Sequence, residues 1–283
     1  MITCNLMGGL GNQLFQIFAT IAYAAKSRNR FFFLNQETLG GDGSTLRYTF
    51  WNSFFIGLKP FLTSNLPPLN MIRETDFTYN ELPVGSMIGT NTMIHGYFQS
   101  YKYFQELFET ICKLIGLEVK KQLVLNKLGL KKEDLNNTIS MHFRLGDYKK
   151  LPDFHPIAPQ KYYENCLHYF NSINPEINYK IIYFCEDEDH EEVLKTIESL
   201  KNIKTGYTFE RGNNTLADWE QMLYMSLCSH NIIANSSFSW WGAYFNTNNE
   251  RRVLYPETWF GSRANHNTKD LCPPDWVKIN YNY

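Results

Sequence analysis

In the run SMHFRLGDYKK, residues 140–150, His142 and Arg144 stand two apart, with Asp147 just beyond a glycine. On a strand, residues two apart point to the same side. An arginine there carries a permanent charge and a planar fork that grips phosphate through paired N–H bonds. The competing reading is a surface ion pair between Arg144 and Asp147, and for an isolated H-x-R that reading is the stronger. Three further stretches put polar groups behind apolar runs. GGLGNQ at 8–13 supplies Gly9, Gly11 and Asn12 before a helical pattern. Glycine lets backbone approach an anion closely, and a helix start offers unpaired N–H groups. The stretch matches neither G-x-G-x-x-G nor a triphosphate loop with its Lys-Ser/Thr, and a tight strand–helix turn explains it equally well. EDEDHEE at 186–192 places Glu186, Asp187 and Asp189 where a helix begins. Acids in a first turn stabilise the helix N-terminus, so capping is expected there in preference to a metal site. Asn235, Ser236 and Ser237 follow the apolar run HNIIA, and hydroxyls at that point either cap a helix or bind phosphate.

These groups need elements to hold them. ITCNLM reads as a short strand, and QLFQIFATIAYAAKSRN repeats Leu14, Phe18, Ile21, Ala22 and Ala25 at helical spacing. RFFFLN suits a buried parallel strand. Residues 40–92 are irregular, with GGDGS and NLPPLN as turn signals, and TMIHGYFQSYKYFQELFETICKLIGL reads as a strand then a helix. The Lys-rich stretch 117–137 makes a passage between two domains, 1–136 and 137–283. Beyond it the strands TISMHFR, YKIIYFCED, HNIIAN and RVLYPE alternate with helical runs. Such alternation argues for an α/β fold with parallel sheets, where ligands bind beyond the carboxyl ends of the strands.

Composition narrows the field. The chain has 283 residues, 43% hydrophobic and 19% charged, which is globular, and its length fits two domains. A net charge of −1 without a basic block gives no reason to propose nucleic acid as a partner. Six cysteines without a C-x-x-C pair are expected to be reduced thiols of a cytoplasmic protein. Neither a leader nor an integral membrane segment is recognisable, so any work at a membrane would need recruitment. Aromatics reach 16%, which suits sugar stacking but is more readily consumed by a large core.

Taken together and in this order, GGLGNQLFQIFA, GYFQSYKYF, HFRLGDY, QKYY, DWEQMLYMSLCSHNII and NSSFSWWGAYF resemble the α-1,2-fucosyltransferases that use GDP-fucose. The resemblance spans nearly the whole chain and is weakest at 36–90. It implies a GT-B-like fold, two Rossmann-like domains facing across a cleft, with the donor held by the carboxyl-terminal domain and most of the acceptor site in the other. It implies inverting, metal-independent transfer of fucose to the 2-hydroxyl of a terminal β-galactoside, with no cofactor beyond the donor. Carried over residue by residue, Arg144 and Asn12 serve the diphosphate and are the catalytic candidates. Gly9, Gly11, His142, Asp187, Asp218, Ser236 and Ser237 are donor-binding candidates, with Asp218 reading guanine. The family often has H-x-R-R-G-D-Y, and here the second arginine is Leu145. Asp147, Asp153 and His155 lie in the loop after the H-x-R strand, and none is singled out as a base. The alternatives are another linkage or acceptor on the same fold, or an inactive carbohydrate- or nucleotide-binding protein. A pure binder, however, has no use for a leaving-group clamp.

Overall fold

The computed structural model describes residues 1–40, 46–84, 90–264 and 266–281. Apart from Gly40, the GGDGS turn signal lies outside them. The chain forms two compact units, Met1–Val119 with His266–Pro273, and Lys120–Asn265 with Pro274–Tyr283.

The first unit opens with β1 (Ile2–Cys4) and α1 (Leu10–Lys26). The short strands β2 (Phe33–Leu34), β3 (Thr38–Leu39), β4 (Arg47–Tyr48) and β5 (Leu62–Thr63) follow, then β6 (Asn70–Arg73) and β7 (Thr92–His95). β1, β7 and β6 make a parallel sheet in that order. A parallel bridge from Ile2 to Phe31 leads on to β2, which pairs with β5. α1 is apolar nearly all round, and Leu14, Phe15, Ile17 and Phe18 are fully buried, as a helix in the middle of a core must be. Phe104 packs against Phe15 and Phe18 with ring centres 6.0 and 5.5 Å apart. Phe33, Trp51, Phe54 and Phe55 are buried as well, so much of the aromatic surplus is core. The helix expected after β7 is mostly two 3-10 turns, and α2 covers only Phe108–Leu114.

His266–Pro273 returns to this unit late in the chain. There the buried Asp270 carboxylate accepts from Lys102 Nζ at 2.5 Å and from the Tyr79 N–H at 3.0 Å. Its backbone carbonyl accepts from Ser100 Oγ at 2.6 Å. Burial alone would raise the Asp270 pKa, but these donors outweigh it and hold the carboxyl below its ordinary value.

α3 (Leu117–Leu128) carries the chain into the second unit. The division falls at Val119/Lys120, not at 136/137, because α3 bonds onward into the second unit. Lys121 Nζ donates to the Phe245 carbonyl at 2.8 Å, and Lys127 pairs with the buried Glu220.

The second unit alternates β8 (Thr138–His142), α4 (Gln160–Ile173), β9 (Lys180–Phe184), α5 (His190–Leu200), β10 (Thr208–Arg211), α6 (Asp218–Leu227), β11 (His230–Ile232), α7 (Ser237–Tyr244), β12 (Val253–Pro256) and β13 (Val277–Ile279). All its neighbouring strands are parallel, in the order β10-β9-β8-β11-β12-β13. Counted from β8, that is the Rossmann order 3-2-1-4-5-6. The order reverses between β8 and β11, the kind of position at which doubly wound sheets bind ligands beyond the strand ends. α4 locks this region from behind. Tyr162 Oη donates to the Ile233 and Leu254 carbonyls at 2.6 and 3.0 Å, and Tyr163 Oη to the His142 carbonyl at 3.1 Å.

Candidate active site

The reversal point selects two of the four sequence stretches. His142 ends β8, Arg144 follows it, and Asn235, Ser236 and Ser237 link β11 to α7. The two sides touch. Tyr148 Oη donates to the Asn235 carbonyl at 3.0 Å, and the His142 ring lies 5.7 Å from Phe238. Burial pushes the Tyr148 pKa up to about 12, so its hydroxyl stays a donor.

His142 is buried, and burial followed by the Arg144 charge lowers its pKa to about 3. It is therefore a neutral imidazole at physiological pH, and its Nδ1 has no hydrogen-bond partner among the described residues. A buried polar atom left unpaired costs about 1–3 kcal/mol, which a bound ligand would relieve.

Arg144 is only partly exposed. Its Nη1 donates to Glu186 and its Nη2 to Asp147 at 2.5 Å, and its guanidinium lies 5.2 Å from the Tyr148 ring centre. Burial opposes the charge, but Glu186 and Asp147 outweigh it and raise the Arg144 pKa. The ion pair with Asp147 weighed in the sequence is thus present, joined by Glu186. Of the five N–H donors of a guanidinium, these two carboxylates take one each and fix its plane. Gly146, at φ +36, gives Glu186 room, since an added Cβ would lie 2.7 Å from Glu186 Oε2.

The acids of 186–189 do not cap α5, whose N-terminus has no side-chain cap bond. Each answers a different donor. Glu186 holds Arg144, Asp187 accepts from Arg211 at 2.5 Å and Asn214 at 3.1 Å, and Asp189 accepts from Lys149 at 2.8 Å and the Gly146 N–H at 2.7 Å. Hydrogen bonds from Asn214 and Arg211 lower the Asp187 pKa. Among the described residues no three His, Cys, Asp or Glu side chains are grouped to hold an ion.

Ser236 is the N-cap of α7, its Oγ accepting from the Phe238 N–H at 3.3 Å. A capping hydroxyl still has its own hydrogen to donate. Ser237 opens the helix. Asn235 Nδ2 donates to the Pro156 and Trp259 carbonyls at 2.8 and 3.0 Å, tying the turn to its neighbours. Asp218 is exposed in the first turn of α6, whereas Glu220 is buried and closes back on the Ala217 N–H at 2.9 Å. Leu145 is a core residue, 6% exposed, so an arginine at this position would have to leave the packing Leu145 now makes. Of the base candidates, Asp147 is held by Arg144, and His155 stacks on Tyr148 at 4.8 Å.

In the first unit the Gly-rich stretch is shorter than its sequence suggests. α1 begins at Leu10, so Gly9 is the N-cap while Gly11 and Asn12 lie in the first turn. The strained position is Gly8, at φ +74, where an added Cβ would come 2.4 Å from Asn12 Nδ2. At Gly9 a Cβ would meet nothing within 4 Å. Gln13 Nε2 donates to the Gly8 and Tyr48 carbonyls at 3.0 and 2.9 Å, and Gln16 Oε1 accepts from the Met7 N–H at 2.9 Å, so two buried glutamines brace the loop. Asn12 Oδ1 accepts from Gln99 Nε2 at 2.9 Å. Gly8, Gln99 and Arg211 were not singled out in the sequence, and Glu186 was weighed only as a helix-start acid or metal ligand. Gly8 had a signal in the doubled glycine; the others lie far along the chain from the groups they hold.

Comparisons with known proteins identify the family of the chain. Residues 70–280 match the family described as Glycosyl transferase family 11. An O-antigen biosynthesis glycosyltransferase WbnK of Escherichia coli is 27% identical, covering 99% of this chain and all of its own. An alpha-1,2-colitosyltransferase of Escherichia coli is 28% identical over 99% of each chain. A galactoside 2-alpha-L-fucosyltransferase of Caenorhabditis elegans is 24% identical over 99% of this chain and 79% of its own. The family match begins after the Gly-rich loop; the relatives' alignments extend over almost the whole chain. With two α/β units built on parallel sheets, the architecture is GT-B-like.

Proposed function

The chain belongs to glycosyl transferase family 11 and is a glycosyltransferase, and we propose that it moves fucose from GDP-fucose to the 2-hydroxyl of a terminal β-galactoside, with inversion. A nucleotide-sugar donor and a glycan acceptor are its substrate classes. The observation that carries the finer reading is the β8/β11 reversal point, where a braced arginine, a neutral histidine with an unpaired Nδ1 and a serine-capped helix start stand together. In the proposed reaction the acceptor oxygen attacks C1 of fucose as the bond from C1 to the β-phosphate oxygen breaks. The electron pair leaves with GDP, and the 2-hydroxyl proton is released. Negative charge grows on the departing diphosphate, so fixed donors aimed there lower the barrier. Arg144 supplies a cation whose plane Glu186 and Asp147 hold, and Ser236 and Ser237 supply hydroxyls. The first turn of α1 and Asn12 supply N–H donors. Asp218, exposed at the start of α6, is the proposed acceptor for the guanine N–H groups.

Metal independence belongs to the same proposal. It is supported by the separate cationic or amide partners of Glu186, Asp187 and Asp189. The test is transfer of labelled fucose to galactose-terminated acceptors in EDTA, with thermal shifts in GDP and UDP. Transfer in chelator and stabilisation by GDP alone are expected. Equal stabilisation by UDP, or activity restored only by manganese or magnesium, would refute it. The 28% identity to a colitosyltransferase favours a second reading, colitosyl transfer, and GDP-colitose in direct competition with GDP-fucose decides between them.

A further inference from the structure

The first unit holds a cavity of 310 Å³ beside the carboxyl-terminal half of α1. Its walls come from that helix, from residues 79–82 and from residues 102–107, all within the one unit. At about 1.5 Å per residue along α1, Ala19 lies about 14 Å and Lys26 about 24 Å from the helix start at Leu10. The cavity is therefore a different place from the Gly-rich loop. Its volume falls at the lower end of the range for small-molecule sites, about 300–1,000 Å³, which suits a compact ligand.

The wall chemistry narrows what that ligand is. Tyr23, Tyr79 and Tyr103 line the cavity, the last two with ring centres 4.8 Å apart. Both lysines of the wall are already paired, Lys26 with Glu81 at 2.6 Å and Lys102 with Asp270 at 2.5 Å, so an anion finds no spare cation among these residues. A carboxylate has several accepting sites, so Glu81 can still accept after pairing. The Tyr103 hydroxyl accepts from the Asn80 N–H at 3.2 Å, and its own hydrogen has no acceptor among the described residues. Burial pushes the Tyr103 pKa up to about 12, so that hydrogen stays in place. Aromatic rings, a neutral donor and carboxylate acceptors fit a neutral saccharide, whose ring offers apolar C–H faces and whose hydroxyls both donate and accept.

The wall is also fixed in advance. The buried Asp270 holds both Lys102 and the Tyr79 N–H, and Tyr23 Oη donates to the Pro83 carbonyl at 2.5 Å. A wall ordered before binding spares the ligand the cost of ordering it.

We propose that this cavity is a saccharide-binding site that takes a neutral sugar ring, distinct from the Gly-rich loop and from the β8/β11 reversal point. The proposal does not depend on the donor or linkage inferred above, because the wall alone selects the ligand.

The test uses the full chain with isotope-labelled alanine methyl groups and lactose as the probe. Ala22 and Ala25 stand in the wall, whereas Ala24 is fully buried on the same helix outside it. Saturable shifts of the Ala22 and Ala25 methyl signals are expected, with Ala24 unmoved. A sulfated lactose should bind no more tightly than lactose. Ala25 is exposed, so Ala25→Trp fills the cavity from its rim and should abolish the Ala22 shift. Tyr103→Phe removes one hydroxyl and should weaken binding about two- to tenfold. Acceptor KM separates two sources of the sugar. If it is an inner residue of the acceptor glycan, Ala25→Trp raises KM for a galactose-terminated tetrasaccharide but not for methyl β-galactoside; if it is a separate saccharide, neither KM changes. Ala22 and Ala25 signals that stay still up to the solubility of lactose, that move equally with GDP, or that report unchanged affinity in both variants would overturn the proposal. If Ala25→Trp does not fold, the wild-type titration and Tyr103→Phe decide. The methyl signals need no turnover, so a failure of fucose transfer is read separately from a failure of this site.

Discussion

Replacing Arg144 with lysine keeps a positive charge but exchanges a planar fork for a point charge on a flexible stem. The structure allows the stability cost to be bounded. Glu186 and Asp147 are each 48% exposed, so each pair is worth about 0–1 kcal/mol. The guanidinium over the Tyr148 ring adds about 0.5–1 kcal/mol. Lysine retains its charge and one carboxylate partner, leaving a net loss of about 1 kcal/mol, or roughly 2–4 °C in Tm for a chain of this size. The kinetic cost is expected to be much larger. A fixed donor to a developing anion is worth about 2.7–4 kcal/mol, a hundred- to a thousand-fold in turnover. The signature is therefore a large fall in kcat, a smaller change in GDP affinity and a nearly unchanged melting curve. Steady-state kinetics, GDP titration and thermal denaturation of the same preparation measure all three. A folded Arg144→Lys protein with wild-type kcat would refute the leaving-group role and reduce Arg144 to an ion-pair partner.

Four further outcomes follow from other features of the structure. With its folded pKa near 3, His142 stays neutral while the unfolded chain takes up its proton below about 6.5. Its contribution is complete above that pH and falls by about 1.4 kcal/mol per unit as pH drops toward the folded value; His142→Asn should flatten urea-derived stability between pH 6 and 4.5, and an unchanged slope would contradict the burial argument. Gly8→Ala forces a side chain into φ +74 and against Asn12, so it should cost about 1–2 kcal/mol or more in thermal denaturation as well as turnover. Gly9→Ala meets open space, and should raise donor KM with little change in Tm; an unchanged KM would argue against a diphosphate there. Asp270→Ala leaves the Tyr79 N–H and Lys102 without their carboxylate and should cost about 1–3 kcal/mol. Because the Asp270 pKa is held below its ordinary value, that contribution is present above about pH 3.9 and is lost in more acidic solution; amide exchange at Tyr79 reads both effects.

The parts of the site carried by local pattern were legible. Apolar runs ending in H-x-R, in Asn-Ser-Ser and in the doubled glycine marked strand ends, and the parallel sheets put those ends where the alternation implied. What sequence could not supply was the pairing between distant segments. Nothing near Glu186 says that it holds Arg144, 42 residues earlier, when an acidic helix start already has an adequate local explanation. Nothing near Gln99 points to Asn12. The strands TFER and VKI escaped notice because they are short and only partly buried, with little apolar periodicity. The boundary at 136/137 followed the charge of 117–137, whereas Lys121 and Lys127 of that stretch bond into the second unit with their ammonium ends.

The return of His266–Pro273 to the first unit has a consequence for synthesis. β1, the Gly-rich loop and α1 leave the ribosome well before the second unit, yet Ser100 waits for the Asp270 carbonyl, 170 residues later. The amino-terminal unit therefore has its described strands early but this fastening late, after β12 of the second unit has been made. A fragment ending at Val119 lacks that fastening, and so does any protein truncated before position 270. Production of a finished Gly-rich loop unit is in this way tied to synthesis of the segments that carry Arg144 and Asp270, and a product stalled or clipped before Asp270 should lack a stable copy of it.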